Sequence, residues 1–414
     1  MYPGKSLARQ DNQIIFLDQG LPGEIVSAKI ISRHKNYSRA KVTKIIQPAK
    51  QRVAPRCGHY QACSVYQYVD YHYQLELKKS QLQEMLARYL GLAPEVTIKA
   101  SPQVWGYRNK ANLTILRADG KAGLAYCQPR SAVDFFQLDQ CFLLPEAVNR
   151  LNQAALELVR RDNLDFVFEL TTRINRKTQL FLLLHCRSLK NPARLQQLVR
   201  PLAERFPVVG IACAIEEKPE LFQILGAPWF SEQAAGLEFR FGPRSFFQIN
   251  TVMLEELIAD LRADLDFGGT ETLVDLYSGV GVFALLLPAK KVTAVEIAEE
   301  NAVFLRENIR FHQRQGITVQ ESPSEYWAEN FLTPDVDVLI VDPPRQGLDP
   351  KVCQKILQYP PQRLVYISCD PATLLRDVKI LLSQYQIQKI TAYDFFPHTP
   401  HIETCLILQR LQRS

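Results

Sequence analysis

The stretch from about residue 240 onward constrains the fold most, because apolar runs alternate there with glycine-rich turns and helical segments. Thr272-Leu273-Val274-Asp275-Leu276 is a strand run. Tyr277-Ser278-Gly279-Val280-Gly281 is a turn that opens an apolar helix. Val292-Thr293-Ala294-Val295-Glu296 is a second strand run, ending in an acid. A helical segment over about 299–314 leads to Val336-Asp337-Val338-Leu339-Ile340-Val341-Asp342, then to Pro343-Pro344-Arg345. Strand, crossover and strand in this succession predict a parallel, doubly wound α/β sheet.

The front of the chain reads differently. Ile14-Ile15-Phe16-Leu17, Glu24–Ile30 and Ala40–Ile46 are short strand runs, with turns at Gln19-Gly20 and Pro22-Gly23. A five-stranded barrel of the OB type fits them, with Arg33, Lys35, Arg39, Lys41 and Lys44 as a basic edge. Its first strand is short, so either the barrel is trimmed or the true start codon lies upstream. A cysteine-bearing connector follows over 51–73, then a helix near 74–91 that ends at Gly91. Strands and helices mix over 98–235, and Leu180-Phe181-Leu182-Leu183-Leu184 reads as a strand buried on both faces. The expected domains are 1–50, 51–238 and 239–414.

Charge is unevenly placed. The chain carries +6 overall, yet residues 1–110 hold 17 Lys and Arg against 7 Asp and Glu. A basic front on a slightly acidic body points to a polyanion partner held by the front. Tyr277 to Gly281, with Glu296 about twenty residues on, has the logic of a nucleotide-binding turn. Glycines admit a ligand close to the backbone, and an acid at the end of the second strand can bind ribose hydroxyls. Gly279 and Gly281 are followed by Ala284, so the phosphate cradle is incomplete. That favours S-adenosylmethionine, which has no pyrophosphate.

Two motifs near the end carry candidate chemistry. In Ile367-Ser368-Cys369-Asp370-Pro371-Ala372-Thr373 a cysteine follows a strand, and Asp370-Pro371 suits a helix N-cap and first turn. A sulfur at a helix N-terminus is expected to be drawn toward thiolate. In Phe396-Pro397-His398-Thr399-Pro400-His401-Ile402-Glu403 the final carboxylate could take a proton. Asp342-Pro343-Pro344-Arg345 resembles the motif of amino-methylating enzymes, but with Arg after the prolines and Cys369 one strand later the target shifts to a ring carbon. Nucleophile and base suit carbon 5 of uracil: a thiolate at carbon 6 makes carbon 5 nucleophilic, and a base then removes its proton.

Taken together, these residues resemble the uracil-5-carbon RNA methyltransferases, in the branch with an N-terminal TRAM domain that acts on bacterial large-subunit (23S) ribosomal RNA. Leu21-Pro22-Gly23-Glu24 resembles TRAM, and Gly242–Asn250 resembles the segment entering the catalytic domain. The resemblance implies Cys369 as nucleophile and Glu403 as base. Gln248, Tyr277, Glu296, Asp342 and Ser322 would contact S-adenosylmethionine. Trp105-Gly106-Tyr107-Arg108-Asn109-Lys110 would contact RNA. Many relatives hold a [4Fe-4S] cluster on four cysteines. Here Cys57, Cys63 and Cys141 match, but the remaining position is Tyr66, a poor cluster ligand. A lost or three-cysteine site is therefore expected rather than an intact cluster.

No apolar run reaches the roughly 18 residues of a membrane helix, and no secretory h-region opens the chain. With nine scattered cysteines, a reduced, cytoplasmic, monomeric enzyme is expected. Competing readings are the same chemistry on transfer RNA, an RNA-binding or RNA-folding factor, and an amino-methyltransferase.

Overall fold

The computed structural model describes residues 5–10, 13–118, 121–127, 135–218 and 220–412. Its largest sheet has eight described strands. Their spatial order is Ile317–Glu321, Lys291–Glu296, Thr272–Leu276, Val338–Val341, Arg363–Ser368, Glu403–Arg410, Tyr385–Tyr393 and Thr97–Lys99. The first five run parallel. The chain steps outward from Thr272–Leu276 one way and then the other, so the strand order reverses between Thr272–Leu276 and Val338–Val341. This is the doubly wound sheet that the alternation predicts, and such a reversal opens a crevice at the carboxyl ends of the strands. Glu403–Arg410 breaks the parallel pattern and runs antiparallel to both neighbours. Apolar side chains cover both faces. Leu257, Ile258 and Leu285 lie on one side, and Val352, Leu374 and Val378 on the other.

The eighth strand, Thr97–Lys99, comes from the front half of the chain and pairs parallel with Tyr385–Tyr393. Just before it is the helix Tyr71–Leu90. Asp70 caps it by accepting from the His72 and Tyr73 N–H groups, and Gly91 ends it at φ +67°. Its Leu82 and Leu86 join the core that contains Leu374 and Tyr385. Residues 71–99, grouped with the centre on sequence, thus lie on the C-terminal sheet. The polar sequence of this helix hides the docking, because its buried positions include Gln74 and Lys78.

The central sheet has seven described strands, in the order Leu221–Gly226, Val208–Ile215, Leu180–Cys186, Val167–Ile174, Lys110–Ala118, Lys121–Cys127 and Phe135–Gln137. Leu180, Leu182 and Leu184 pack with the helices Glu146–Arg161 and Pro192–Arg205. Phe181 and Leu183, pointing the other way, join the core shared with Leu257 and Ile258. Alternation on a strand covered on both faces explains its unbroken apolar run.

At the front, four strands lie in the order Ser6–Gln10, Gln13–Leu17, Tyr37–Gln47 and Ile25–Arg33. Four described strands replace the five expected, and the first is the short Ser6–Gln10. The last pair is bulged at three places, which bends the sheet around Ile15, Leu17, Ala40 and Val42. Among the described residues no helix is long and apolar enough to cross a membrane.

Asn308, fully buried on the helix Glu299–Phe311, joins three segments. Its Nδ2 donates to the Arg240 and Val280 carbonyls at 2.9 and 3.1 Å, and its Oδ1 accepts from the Arg240 N–H at 2.8 Å. Asn308→Ala leaves three backbone groups unpaired and is expected to destabilise the protein by about 2–4 kcal/mol. Urea unfolding of the two proteins measures this, and equal midpoints would refute it.

Candidate active site

Four strand ends meet at the crevice. Asp275, near the end of Thr272–Leu276, is fully buried. Its Oδ2 accepts from the Ala284 N–H at 3.1 Å, while its Oδ1 is buried without a partner. Burial pushes this carboxyl up to about 7. Tyr277 follows at φ +66°, a conformation that a bulky side chain adopts only under constraint. It lines a groove with Glu325, Pro344 and Gln346. Gly279, at φ +56°, opens on empty space: a Cβ there would meet nothing within 4 Å. Gly281 is close-packed instead, since a Cβ would lie 2.3 Å from Leu305.

Glu296 ends the adjacent strand. Its Oε2 accepts from the Gly279 N–H and its Oε1 from the Ala298 N–H, both at 2.7 Å. The next residue, Ile297, is 64% exposed, leaving an apolar surface beside the acid. Ser322 donates its N–H to the Glu296 carbonyl at 3.1 Å, while its hydroxyl turns to the Pro323 carbonyl. Gln248 lies on the segment before Asn250, which caps the helix Thr251–Leu265. Asn109 holds the Gln248 carbonyl at 2.9 Å, so a residue of the central sheet's margin ties down this segment. The open glycine, the bonded acid, the exposed isoleucine and the orphaned Asp275 oxygen fit a nucleoside-bearing ligand.

One strand further, antiparallel pairing brings two of the sequence-predicted site residues together. Ile367 faces Cys405 and Ser368 faces Thr404. The next step of that register sets Cys369 against Glu403, across strands whose paired Cβ atoms lie about 4.5–5.5 Å apart. Asp370 caps the following helix as the sequence predicts, accepting from the Ala372 and Thr373 N–H groups at 2.9 and 3.3 Å. The thiol, however, is not drawn toward thiolate. Burial, then the Glu403 and Asp342 carboxyls, push Cys369 up to about 11, and the positive Arg345 guanidinium only partly offsets them. Here burial outweighs the helix dipole.

The acids are raised as well. Burial pushes Asp342 up to about 7. Glu403, 3% exposed, is pushed well above the carboxylate range by burial and by Asp342, against the pull of Arg345. His401 is held down at about 4 by burial and then by the cations Arg345, Lys78 and Arg108. The structure therefore brings Asp342, Cys369 and Glu403 together and adds Arg345, to which the sequence reading gave no role. Its signal was the departure from the amino-methylating motif at that very position.

The cysteine-bearing connector gives a different result. Cys57 Sγ accepts from Gln67 Nε2 at 3.3 Å, and Cys63 Sγ lies 3.4 Å from Ser64 Oγ. Burial raises both thiols, and Cys141 is close enough to raise them further. The Tyr66 ring packs with Leu21, Tyr68 and Val69, and its hydroxyl accepts from Gln81 Nε2 at 3.1 Å. Among the described residues no three His, Cys, Asp or Glu side chains are grouped to hold a metal. This donor set does not fit a four-thiolate cluster.

The sequence matches the tRNA (uracil-5-)-methyltransferase family over residues 70–411 and the TRAM domain over residues 2–43. It is 33% identical to an RNA methyltransferase of Thermosynechococcus vestitus, over 98% of this chain and 95% of that one. It is 29% identical to an RNA methyltransferase of Synechocystis, over 99% and 93%. The fold resembles that of the Pyrococcus abyssi tRNA (uracil-54, C5)-methyltransferase, solved with S-adenosyl-L-homocysteine. The TM-score is 0.75 at 23% identity, over 98% of this chain and 100% of that one. With its family match running from the capped helix at Asp70 to the last strand of the sheet, the chain belongs to the tRNA (uracil-5-)-methyltransferase family.

Proposed function

We propose that this enzyme methylates carbon 5 of a uridine in large-subunit ribosomal RNA through a covalent bond between Cys369 and carbon 6. The observation that carries this reading is the strand register that opposes Cys369 to Glu403, with Arg345 acting on both. Gln248, Tyr277, Glu296, Asp342 and Ser322 would hold S-adenosylmethionine. That cofactor supplies an electrophilic methyl group on a sulfonium.

The Cys369 thiolate forms the sulfur–carbon 6 bond, and the carbon 5–carbon 6 electron pair moves to carbon 5 and the adjoining carbon 4 carbonyl. Once carbon 5 carries the methyl group, the Glu403 carboxylate takes its proton. The electrons released re-form the double bond and expel the thiolate. The target base must leave its stack to reach the half-buried thiol of Cys369. At the front, Lys29 and Lys41 oppose each other in register beside exposed Arg39 and Lys44. Like charges so placed repel unless an anion lies over them, which suits a phosphate backbone. A transfer RNA uridine is the second reading, favoured by the full-length likeness to the Pyrococcus abyssi enzyme.

Incubation with unmodified ribosomal and transfer RNA, followed by nucleoside mass spectrometry, should give 5-methyluridine in ribosomal RNA. Its appearance only in transfer RNA would establish the second reading, and its absence from both would refute the chemistry. Cys369→Ala should lose all turnover, whereas Glu403→Gln should accumulate enzyme–RNA adduct on a denaturing gel. Wild-type turnover by either variant would remove that residue from the mechanism.

The pH dependence follows from the raised groups. Cys369 and Glu403 act deprotonated, yet both are held above their ordinary values. kcat/KM should therefore fall as pH drops through neutrality and keep rising above pH ~8. A flat profile from pH ~6 to ~9 would contradict this assignment. Arg345→Gln removes the cation that draws the thiol down, so alkylation of Cys369 by iodoacetamide should shift to higher pH. Peptide mapping reads this shift, and an unchanged midpoint would refute the role of Arg345.

A further inference from the structure

The loop 394–402 delivers Glu403 to the site, and it is held mainly by residues distant in the chain. Lys78 Nζ donates to Asp394 Oδ1 at 2.6 Å and to the Phe396 carbonyl at 3.2 Å. Both charged side chains are completely inaccessible. One turn earlier on the same helix, Gln74 Oε1 accepts from the His398 N–H at 2.9 Å, and Gln74 Nε2 lies 3.1 Å from His398 Nδ1. The Tyr66 N–H donates to the His398 carbonyl at 2.9 Å, and the Tyr107 hydroxyl to the Pro397 carbonyl at 3.1 Å. The Trp105 ring stacks on His398, with centroids 3.7 Å apart and planes at 23°.

Held from so many sides, His398 keeps φ +65°, a conformation that a free loop would relax. A buried ion pair is a poor way to attach a helix to a loop for stability alone, because two charges lose their water and an apolar pair of equal volume does as well. What Lys78 and Asp394 provide is direction: a short, charge-assisted bond fixes the start of the loop to one place on the helix. Gln74 fixes its far bend. Glu403 lies five residues beyond His398, where the held loop re-enters the ladder opposite Tyr393, so the loop sets the approach of its side chain while the ladder fixes its backbone.

We propose that Lys78 and Gln74 are positioning residues for Glu403, holding the 394–402 loop so that the carboxylate meets the carbon 5 proton. This rests on the reading of Glu403 as the base. It predicts a selective defect: addition of Cys369 and methyl transfer survive, while proton removal slows.

The test compares wild type, Glu403→Gln, Gln74→Met and the double variant Lys78→Met with Asp394→Leu, which leaves no unpaired buried charge. The substrates are an unmodified RNA transcript methylated by the wild type and the same transcript carrying 5-fluorouridine, which has no carbon 5 proton to lose. On the fluorinated RNA the positioning variants should form methylated covalent adduct within about threefold of the wild-type rate. On the ordinary RNA they should release product at least tenfold more slowly and accumulate adduct, as Glu403→Gln does. Equal slowing on both RNAs, or wild-type behaviour on both, would overturn the proposal and leave the pair a structural contact. If Glu403→Gln itself releases product at the wild-type rate, the base reading fails instead. If wild type forms no adduct with the fluorinated RNA, the covalent reading fails.

Discussion

Everything at this site depends on one strand running the wrong way. In a wholly parallel sheet every strand begins at the bottom and ends at the top, so only strand ends reach the crevice. Glu403–Arg410 is antiparallel to Arg363–Ser368, so its first residue stands beside the residue that follows the other strand's last. The proposed nucleophile, just past the end of one strand, can thus face the proposed base that begins its neighbour, on two segments held by a continuous ladder. Backbone pairing of this kind places two side chains more firmly than two loops could.

The electrostatic setting has a cost. Asp275 is fully buried and its acidity is moved from an ordinary 3.8 to about 7. A carboxyl raised in this way stabilises the folded protein fully below pH 3.8 and loses that contribution as pH rises through about 7. Ionised, it opposes folding by on the order of 4 kcal/mol, at about 1.4 kcal/mol per unit. Asp342 adds a second raised acid in the same crevice. A core chosen for stability alone would not keep these groups, so their presence marks the crevice as the place where the chain gives up stability for recognition.

Much of this was legible because short motifs sat at positions the fold gives meaning to. The alternation after residue 270 implied the reversal of strand order, and the acids of Glu296 and Asp342 fell at strand ends. Asp370-Pro371 announced its helix, and Gly91 announced the end of another. What stayed hidden was long-range. Nothing local in Tyr71–Leu90 shows that Lys78 meets Asp394, since a lysine on a polar helix ordinarily faces water. The thiol of Cys369 was expected to be lowered by its helix. The opposing burial and acids come from Glu403 and Asp342, remote in sequence, and only the pairing of strands reveals their weight. In the connector, by contrast, the sequence already put Tyr66 where a cluster would need a fourth thiolate, and the structure packs that ring with Leu21, Tyr68 and Val69.

The strand Thr97–Lys99 has a consequence for how such a protein can change over generations. It closes the edge of a sheet whose other strands come from residues 272–410, and the helix before it supplies Leu82 and Leu86 to the same core. The catalytic half is therefore not a cassette. A recombination that joined a new front at residue 239 would strand Tyr385–Tyr393 as an open edge, prone to pair with other chains. An exchange that left the half intact would have to break upstream of Asp70, between the basic front and its capped helix. The basic front can be exchanged only if its Glu24–Arg52 ion pair and its Leu21 packing against Tyr66 and Tyr68 are matched, whereas the central sheet, threaded between two pieces of one core, has to change in place.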